Sequence, residues 1–196
     1  MSRIGESKRR TGETDVRVRV DLDGTGKSTV KTGVGFFDHM LTALARHALV
    51  DLEVEAKGDL HVDAHHTVED VGIVLGQAIF LALGERRGIR RYGEATVPLD
   101  DALARAVVDV SGRPFLAYHA EPPTWQMLGD FDVALTPEFF RGLATHGGLT
   151  VHVDLLRGQN AHHVIEAVFK ATARALGSAV SLDPRVPDVP STKGVL

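Results

Sequence analysis

The chain carries one short segment twice. Ala64-His65-His66-Thr67-Val68-Glu69 returns as Ala161-His162-His163-Val164-Ile165-Glu166. A second element precedes each copy: Phe36-Phe37-Asp38-His39 followed by His47, and Glu138-Phe139-Phe140-Arg141 followed by His146. His39 and Glu138 stand at the same offset as His47 and His146, while the His-His pairs stand two residues closer. Matched spacing over four elements points to an internal duplication with one small length change. The period far exceeds that of a solenoid repeat, so two similar half-domains are expected rather than an array.

Composition narrows the class. A length of 196 residues allows one large domain or two small ones. Hydrophobic residues at 43% and charged residues at 24% suffice for a real core. No run approaches the roughly 18 apolar residues of a membrane span, and no leader with a small-residue cleavage site is visible. A cytoplasmic protein is therefore expected, away from membranes. The absence of Cys excludes disulfide scaffolds and thiolate metal sites. Lys and Arg number 22 against 26 Asp and Glu, a net charge of -4 with no basic stripe, so nucleic acid is not an expected partner. The 10 histidines stand out, because imidazole is the commonest metal ligand and the usual acid–base group near pH 7.

Periodicity places these residues. Val16 to Val20 alternates as a strand, and Thr29 to Thr32, after a Gly-containing turn, reads as its hairpin partner. Residues 35–48 suit a helix. Leu52 to Glu55 and Leu60 to Val62 read as a strand pair turning at Lys57-Gly58-Asp59. From His65 to about Gly84, Val68, Val71, Leu75, Ile79 and Ala82 mark a buried helix face. The second half repeats the plan, with strands near 102–110 and 114–119, a helix near 137–147, a strand pair around 149–155 and a helix over 161–180. Residues 1–12 and the tail from Asp183 read as irregular, and Pro122-Pro123 as a loop. The expected class is α+β: internally duplicated half-domains over 1–92 and 93–182, each a mixed or antiparallel sheet with helices packed on one face, as in ribosomal protein S5 domain 2-like folds. Residues 183–196 form a tail expected to close on the active site.

On a helix, His65 and Glu69 share a face, as do His162 and Glu166. Adjacent histidines point about 100° apart, so each member of a pair serves a different ion. Two clusters thus offer parts for two sites of imidazole and carboxylate, a donor set for Mn, Fe, Co, Ni or Zn that leans toward Mn. The bland alternative, a solvated helix start, is weakened by the second copy in register. Asp23-Gly24-Thr25-Gly26-Lys27-Ser28-Thr29 ends like a phosphate-binding loop, but the first Gly of that motif would fall at Asp21 and a strand follows, so it reads as a hairpin turn. His61, His119 and His152 sit singly on strand positions and read as structural or surface residues.

Seven elements in order resemble the imidazoleglycerol-phosphate dehydratase family of histidine biosynthesis. They are Arg10 to Thr14, Phe36 to Leu41, His65 to Asp70, Gly88 to Gly93, Asp109 to Pro114, Asn160 to Ala167 and Pro190 to Gly194, spread over nearly the whole chain. The resemblance implies a 24-subunit homo-oligomer with active sites between subunits and two Mn ions per site. It implies a lyase that removes water from imidazole glycerol phosphate to give imidazole acetol phosphate, the ring passing through a Mn-bound imidazolate and a diazafulvene-like intermediate. Carried over, His39, His66, His162 and Glu166 resemble the ligands of one metal. His65, Glu69 and His163 resemble those of the other, with Glu138 where the family carries His before the Phe-Phe pair. Glu13 matches the proton-moving carboxylate and His47 a substrate-contacting position. Arg91, Arg113, Lys170, Ser191 and Lys193 match the phosphate side, where bidentate Arg suits phosphate geometry. His39, His65 and His162 would also border the substrate, and Glu69 and Glu166 would act in catalysis as well as ligation. Without the resemblance, the same ligands would also serve a dinuclear metallohydrolase or a metal-storage oligomer.

Overall fold

The computed structural model describes residues 3–196. Valine alternating with arginine turns one face of the strand Thr14–Asp21 (β2) inward, with Val16, Val18 and Val20 fully buried and Arg17 and Arg19 outside. Before it runs β1 (Ile4–Arg10), and after it β3 (Ser28–Lys31), α1 (Gly35–Ala48), β4 (Asp51–Gly58) and α2 (His65–Leu83). The second half repeats this with β5 (Tyr92–Leu99), β6 (Ala102–Asp109) and β7 (Phe115–His119). A small hairpin, β8 (Met127–Leu128) and β9 (Phe131–Asp132), then precedes α3 (Thr136–Gly147), β10 (Thr150–Arg157) and α4 (Ala161–Val180). The two sheets have the same order, β1-β2-β4-β3 and β5-β6-β10-β7. Each is antiparallel except for one parallel edge, β3 on β4 and β7 on β10, reached through a crossover helix.

The four helices pack across the halves. α2 covers β1 and β2 of its own sheet and lies on α3; α4 covers β5 and β6 and lies on α1. Glycines set the spacing of these crossings. A Cβ on Gly177 would strike the carbonyl of Ala48, and one on Gly76 would sit 2.7 Å from the Leu143 oxygen. Although α2 is long and apolar enough to cross a membrane, most of it is buried by this packing, with Phe80 and Leu81 left exposed in its last turn.

Several local expectations need correction. Thr29 to Thr32 does not form a hairpin with Val16 to Val20, because β4 lies between them and β3 pairs parallel with β4. The glycine-containing turn is held to β4 instead: the Asp51 carboxylate accepts from Thr25 N at 2.7 Å and Lys27 N at 2.9 Å. Leu60 to Val62 is a turn, not a strand, since β4 ends where Gly58 packs against Thr67 and Val62 N folds back to Asp59 O. Residues 150–157 form one strand rather than a pair. Residues 4–10 form an edge strand where irregular chain was expected, and β5, its counterpart, was not anticipated, although Ala95, Val97 and Leu99 alternate along it; residues 1 and 2 lie outside the described residues.

Both edge strands lie directly on a helix through a glycine. A Cβ on Gly5 would collide with the Ala78 carbonyl, and one on Gly93 with the Ala175 carbonyl. Gly93→Ala is therefore expected to destabilise the fold by about 1–3 kcal/mol, whereas Gly12→Ala, which meets nothing within 4 Å, should leave the thermal midpoint unchanged.

Candidate functional site

Helix starts place the histidines. At α1, the Asp38 carboxylate accepts from Thr32 N at 2.9 Å and Thr32 Oγ1 at 2.5 Å, tying the preceding loop to the first turn. Phe37, Met40 and Leu41 point into the core, which leaves His39 on the open side. At α4, the Asn160 side chain caps the helix by accepting from His163 N at 3.3 Å. Val164 and Ile165 are buried there, so His162 and Glu166 share the outer face.

The crossing of α1 on α4 brings these faces together. His39 Nε2 lies 3.3 Å and His162 Nε2 3.1 Å from the same oxygen, Glu166 Oε2. Among the described residues, His39, His162 and Glu166 form the one group whose ligand atoms all fall within 4.8 Å of one another. Lys170, one turn on, holds the other carboxylate oxygen at 2.6 Å. Phe36 sets its ring edge against His162 and His39, with centroids at 5.1 and 6.4 Å, and is itself backed by Phe131 from the β8–β9 hairpin. Burial pushes the Glu166 carboxyl up, but Lys170 and then His39 outweigh it, and the group stays below its ordinary range. His47, in the last turn of α1, is pushed down by burial and then by the charges of Lys170 and Arg174.

The other histidines are gathered elsewhere. His66 Nδ1 meets Asp59 at 3.0 Å, and its Nε2 faces Glu13 Oε1 at 3.8 Å. The Asp59 hydrogen bond raises the His66 pKa. His163 Nδ1 meets Asp101 at 2.7 Å, a carboxylate that also accepts from Gln159 N and Asn160 N and is held far below its ordinary range, first by His163. In both histidines the Nδ1 side is occupied by a carboxylate, which orients Nε2 outward. His65 and Glu69 lie half-buried on the first turns of α2, where Asp63 accepts from His65 N. Glu138, in the first turn of α3, pairs with Arg141 at 2.5 Å. Of the expected ligand sets, one chain thus assembles His39, His162 and Glu166, while His66 stands with Glu13 and Glu138 with Arg141.

The phosphate-side residues divide too. Arg91 is nearly buried, paired with Asp109 at 2.8 Å and donating to Pro190 O at 2.9 Å, which draws Ser191 and Lys193 of the tail toward it. The Ser191 hydroxyl accepts from Lys193 N at 3.2 Å. The side chain of exposed Arg113 turns back to Ser111 O. Lys170 and His47 stand apart on α4 and α1. Motif spacing missed Asp59, Asp101 and Phe36. Asp59 and Asp101 are turn residues whose role depends on the tertiary approach of an imidazole. Asp59 stands in the turn before α2, where a carboxylate near the ligand helix was a signal within reach, whereas Asp101 stands in the β5–β6 turn, far in sequence from His163.

The duplicated α+β framework, with a histidine–carboxylate cluster where two helices from different halves cross, defines the class of fold and site. The family model for imidazoleglycerol-phosphate dehydratase matches residues 32–176. Imidazoleglycerol-phosphate dehydratase of Bordetella petrii is 62% identical over 99% of this chain and 100% of its own length, and that of Cereibacter sphaeroides is 59% identical over the same shares. The crystal structure of the Staphylococcus aureus enzyme superposes with a TM-score of 0.83 at 41% identity, covering 92% of this chain and 99% of that one. The Pyrococcus furiosus enzyme, in complex with (S)-C348, gives 0.80 at 38% identity, covering 96% and 99%. The chain belongs to the imidazoleglycerol-phosphate dehydratase family, whose members are hydro-lyases.

The Glu166–Lys170 pair generates a test. In metal-free protein, Lys170→Met removes the ammonium and leaves burial, so the Glu166 pKa should rise, read by carboxyl 13C NMR titration. The pair's stabilisation is present above the unfolded Glu pKa and is lost as pH falls through the depressed folded value. The variant should show a weaker loss over that acid range.

Proposed function

We propose that this chain removes water from imidazole glycerol phosphate to give imidazole acetol phosphate, using two Mn ions per site. The observation that carries the metal reading is the convergence of His39 Nε2 and His162 Nε2 on one oxygen of Glu166. The donors fit the ion: imidazole and carboxylate without sulfur, with the far nitrogens of His66 and His163 already engaged by Asp59 and Asp101. His39, His66, His162 and Glu166 would hold one ion; His65, Glu69, His163 and Glu138 the other. Bound Mn would supply Lewis acidity and a template for the imidazole ring.

The chain's own residues then have definite tasks. Lys170 keeps Glu166 ionised and ready to ligate. Asp59 and Asp101 fix the imidazole planes of His66 and His163 and leave Nε2, which faces Glu13 in one and Asp100 at 3.5 Å in the other, as the nitrogen to ligate. Glu13 Oε1, exposed in the β1–β2 turn and facing His66 Nε2, is placed to take the proton from the carbon beside the imidazole ring. His47 borders the substrate, and Arg91, Arg113, Lys170, Ser191 and Lys193 take its phosphate through charge-assisted hydrogen bonds.

His66 and Glu13 sit away from the His39 centre in one chain. That separation supports a homo-oligomer in which the active site is completed between neighbours, and the family resemblance implies 24 subunits. For the same reason Glu138 would exchange Arg141 for the ion on assembly. A cytoplasmic location suits this chemistry.

Turnover measured after chelator treatment and Mn reloading, following the ketone product, tests the reading. Product should depend on Mn and fall to background in His65→Ala and Glu166→Ala. Asp101→Asn should retain the fold and weaken Mn binding about tenfold to a hundredfold. A folded, Mn-loaded oligomer without product would reject the activity.

A further inference from the structure

Between the C-terminal end of α1, the second half of α4, the edge strand β5 and the turn after β2 lies an open cavity of about 690 Å³. Neither the His39–His162–Glu166 cluster nor Lys170 lines it, although His47 does. Three guanidinium groups face it: Arg3, Arg90 and Arg174. Arg3 is spent internally, on Asp23 at 2.6 Å and on the carbonyl of Val180 at 2.5 Å, and it neutralises Asp23. Arg90 and Arg174 are exposed, and among the described residues neither side chain has a hydrogen-bond or ion-pair partner within 4 Å, although Arg185 neutralises the Asp183 carboxyl and Arg90 stands near enough to help hold it down. Glu94 is the one remaining carboxylate in the wall, so the cavity keeps an excess of positive charge.

The duplication shows what this place in the fold can receive. Ile4 pairs with Asp21 as Tyr92 pairs with Asp109, which makes Arg3 the counterpart of Arg91 and Gly24 that of Gly112. The helix ends also correspond: Leu49 and Gly148 are both left-handed caps. In the second half the corresponding seat is filled by the chain's own tail. Leu196 lies against Gly112, and its carbonyl oxygen accepts from Arg86 Nη1 at 2.6 Å; the Pro190 carbonyl accepts from Arg91. Acceptor oxygens on guanidinium groups are thus how the fold closes this seat once. In the first half α4 presents Gly177 and Ser178 there, and the seat stays open with two guanidinium groups unpaired.

We propose that this cavity is an anion site, distinct from the substrate's own phosphate contacts and adjoining the centre at His47, that takes inorganic phosphate or the phosphate of a small monoester on Arg90 and Arg174. Planar guanidinium forks match phosphate oxygens in pairs. The cavity has room for a monoester as well as the free ion. Because Arg90 and Arg174 belong to neither the proposed ligands nor the substrate contacts, the site is testable independently of turnover.

The test is calorimetric titration of the assembled, Mn-loaded protein with inorganic phosphate and, separately, glycerol 3-phosphate. Each titration is repeated in Arg113→Gln, which lacks one of the proposed contacts to the substrate's phosphate. Binding of one anion per chain that persists in Arg113→Gln is expected, and it should weaken about tenfold in Arg90→Gln and in Arg174→Gln. Arg174→Lys should retain part of it, and Arg90→Gln should leave kcat, KM and the thermal midpoint unchanged. Tighter binding of one titrant identifies whether the free ion or the ester is the preferred occupant. Anion binding that is lost in Arg113→Gln, or a raised KM in Arg90→Gln, would assign these arginines to the substrate's own phosphate and overturn a separate site. No heat up to about 10 mM anion would overturn it as well.

Discussion

The close crossing of α1 on α4 is the contact on which the candidate centre depends. His39 and Glu166 are far apart in sequence and sit on different halves, yet a single carboxylate oxygen receives imidazole nitrogens from both helices. That meeting requires the helix backbones to approach to within the radius of a missing side chain. Gly177 against Ala48 provides it at one end of the pair, as Gly72, Gly76 and Gly142 do between α2 and α3. Helix starts are good places for neutral imidazole ligands and carboxylates, because the backbone N–H groups there favour negative charge and disfavour imidazolium. The packing thus brings two such starts side by side. The tilted Phe36–Phe131 pair fills the apolar side of the cluster and limits how far the two imidazoles can turn.

How much of this was legible in sequence follows from where each signal is stored. The helix α4 is read to its ends because its apolar positions repeat at helical spacing, α1 from its length, and β2 because valine alternates with arginine. The edge strands are weaker. In Ile4–Arg10 the one buried residue is Gly5, which carries no hydrophobic signal. In Tyr92–Leu99 the inner face runs Gly93, Ala95, Val97, Leu99, an alternation that a glycine, a small residue and Pro98 make faint. The pairing of β3 escaped for a different reason: a short strand after a glycine turn looks like a hairpin until the crossover through α1 places β4 in between. At the site, the residue types were visible in the repeated motif. The convergence of three of them, and the carboxylates Asp59 and Asp101 behind two others, are tertiary facts that no local spacing encodes.

The two halves share a frame but no longer share chemistry. At corresponding first turns, α1 presents His39, bonded to Glu166 on the neighbouring helix, whereas α3 presents Glu138, bonded to Arg141 on its own helix. A neutral imidazole and a carboxylate give corresponding positions of the frame different charge. The two carboxylates also differ in restraint: Glu166 is held on one oxygen by the half-buried Lys170 at 2.6 Å and on the other by imidazoles from two helices, whereas Glu138 pairs with Arg141 on its own helix. A pair of that exposed kind is worth little by itself, so Glu138 is the more easily redirected of the two. The duplication offers the same frame twice, but among the described residues the side chains converge only where α1 crosses α4.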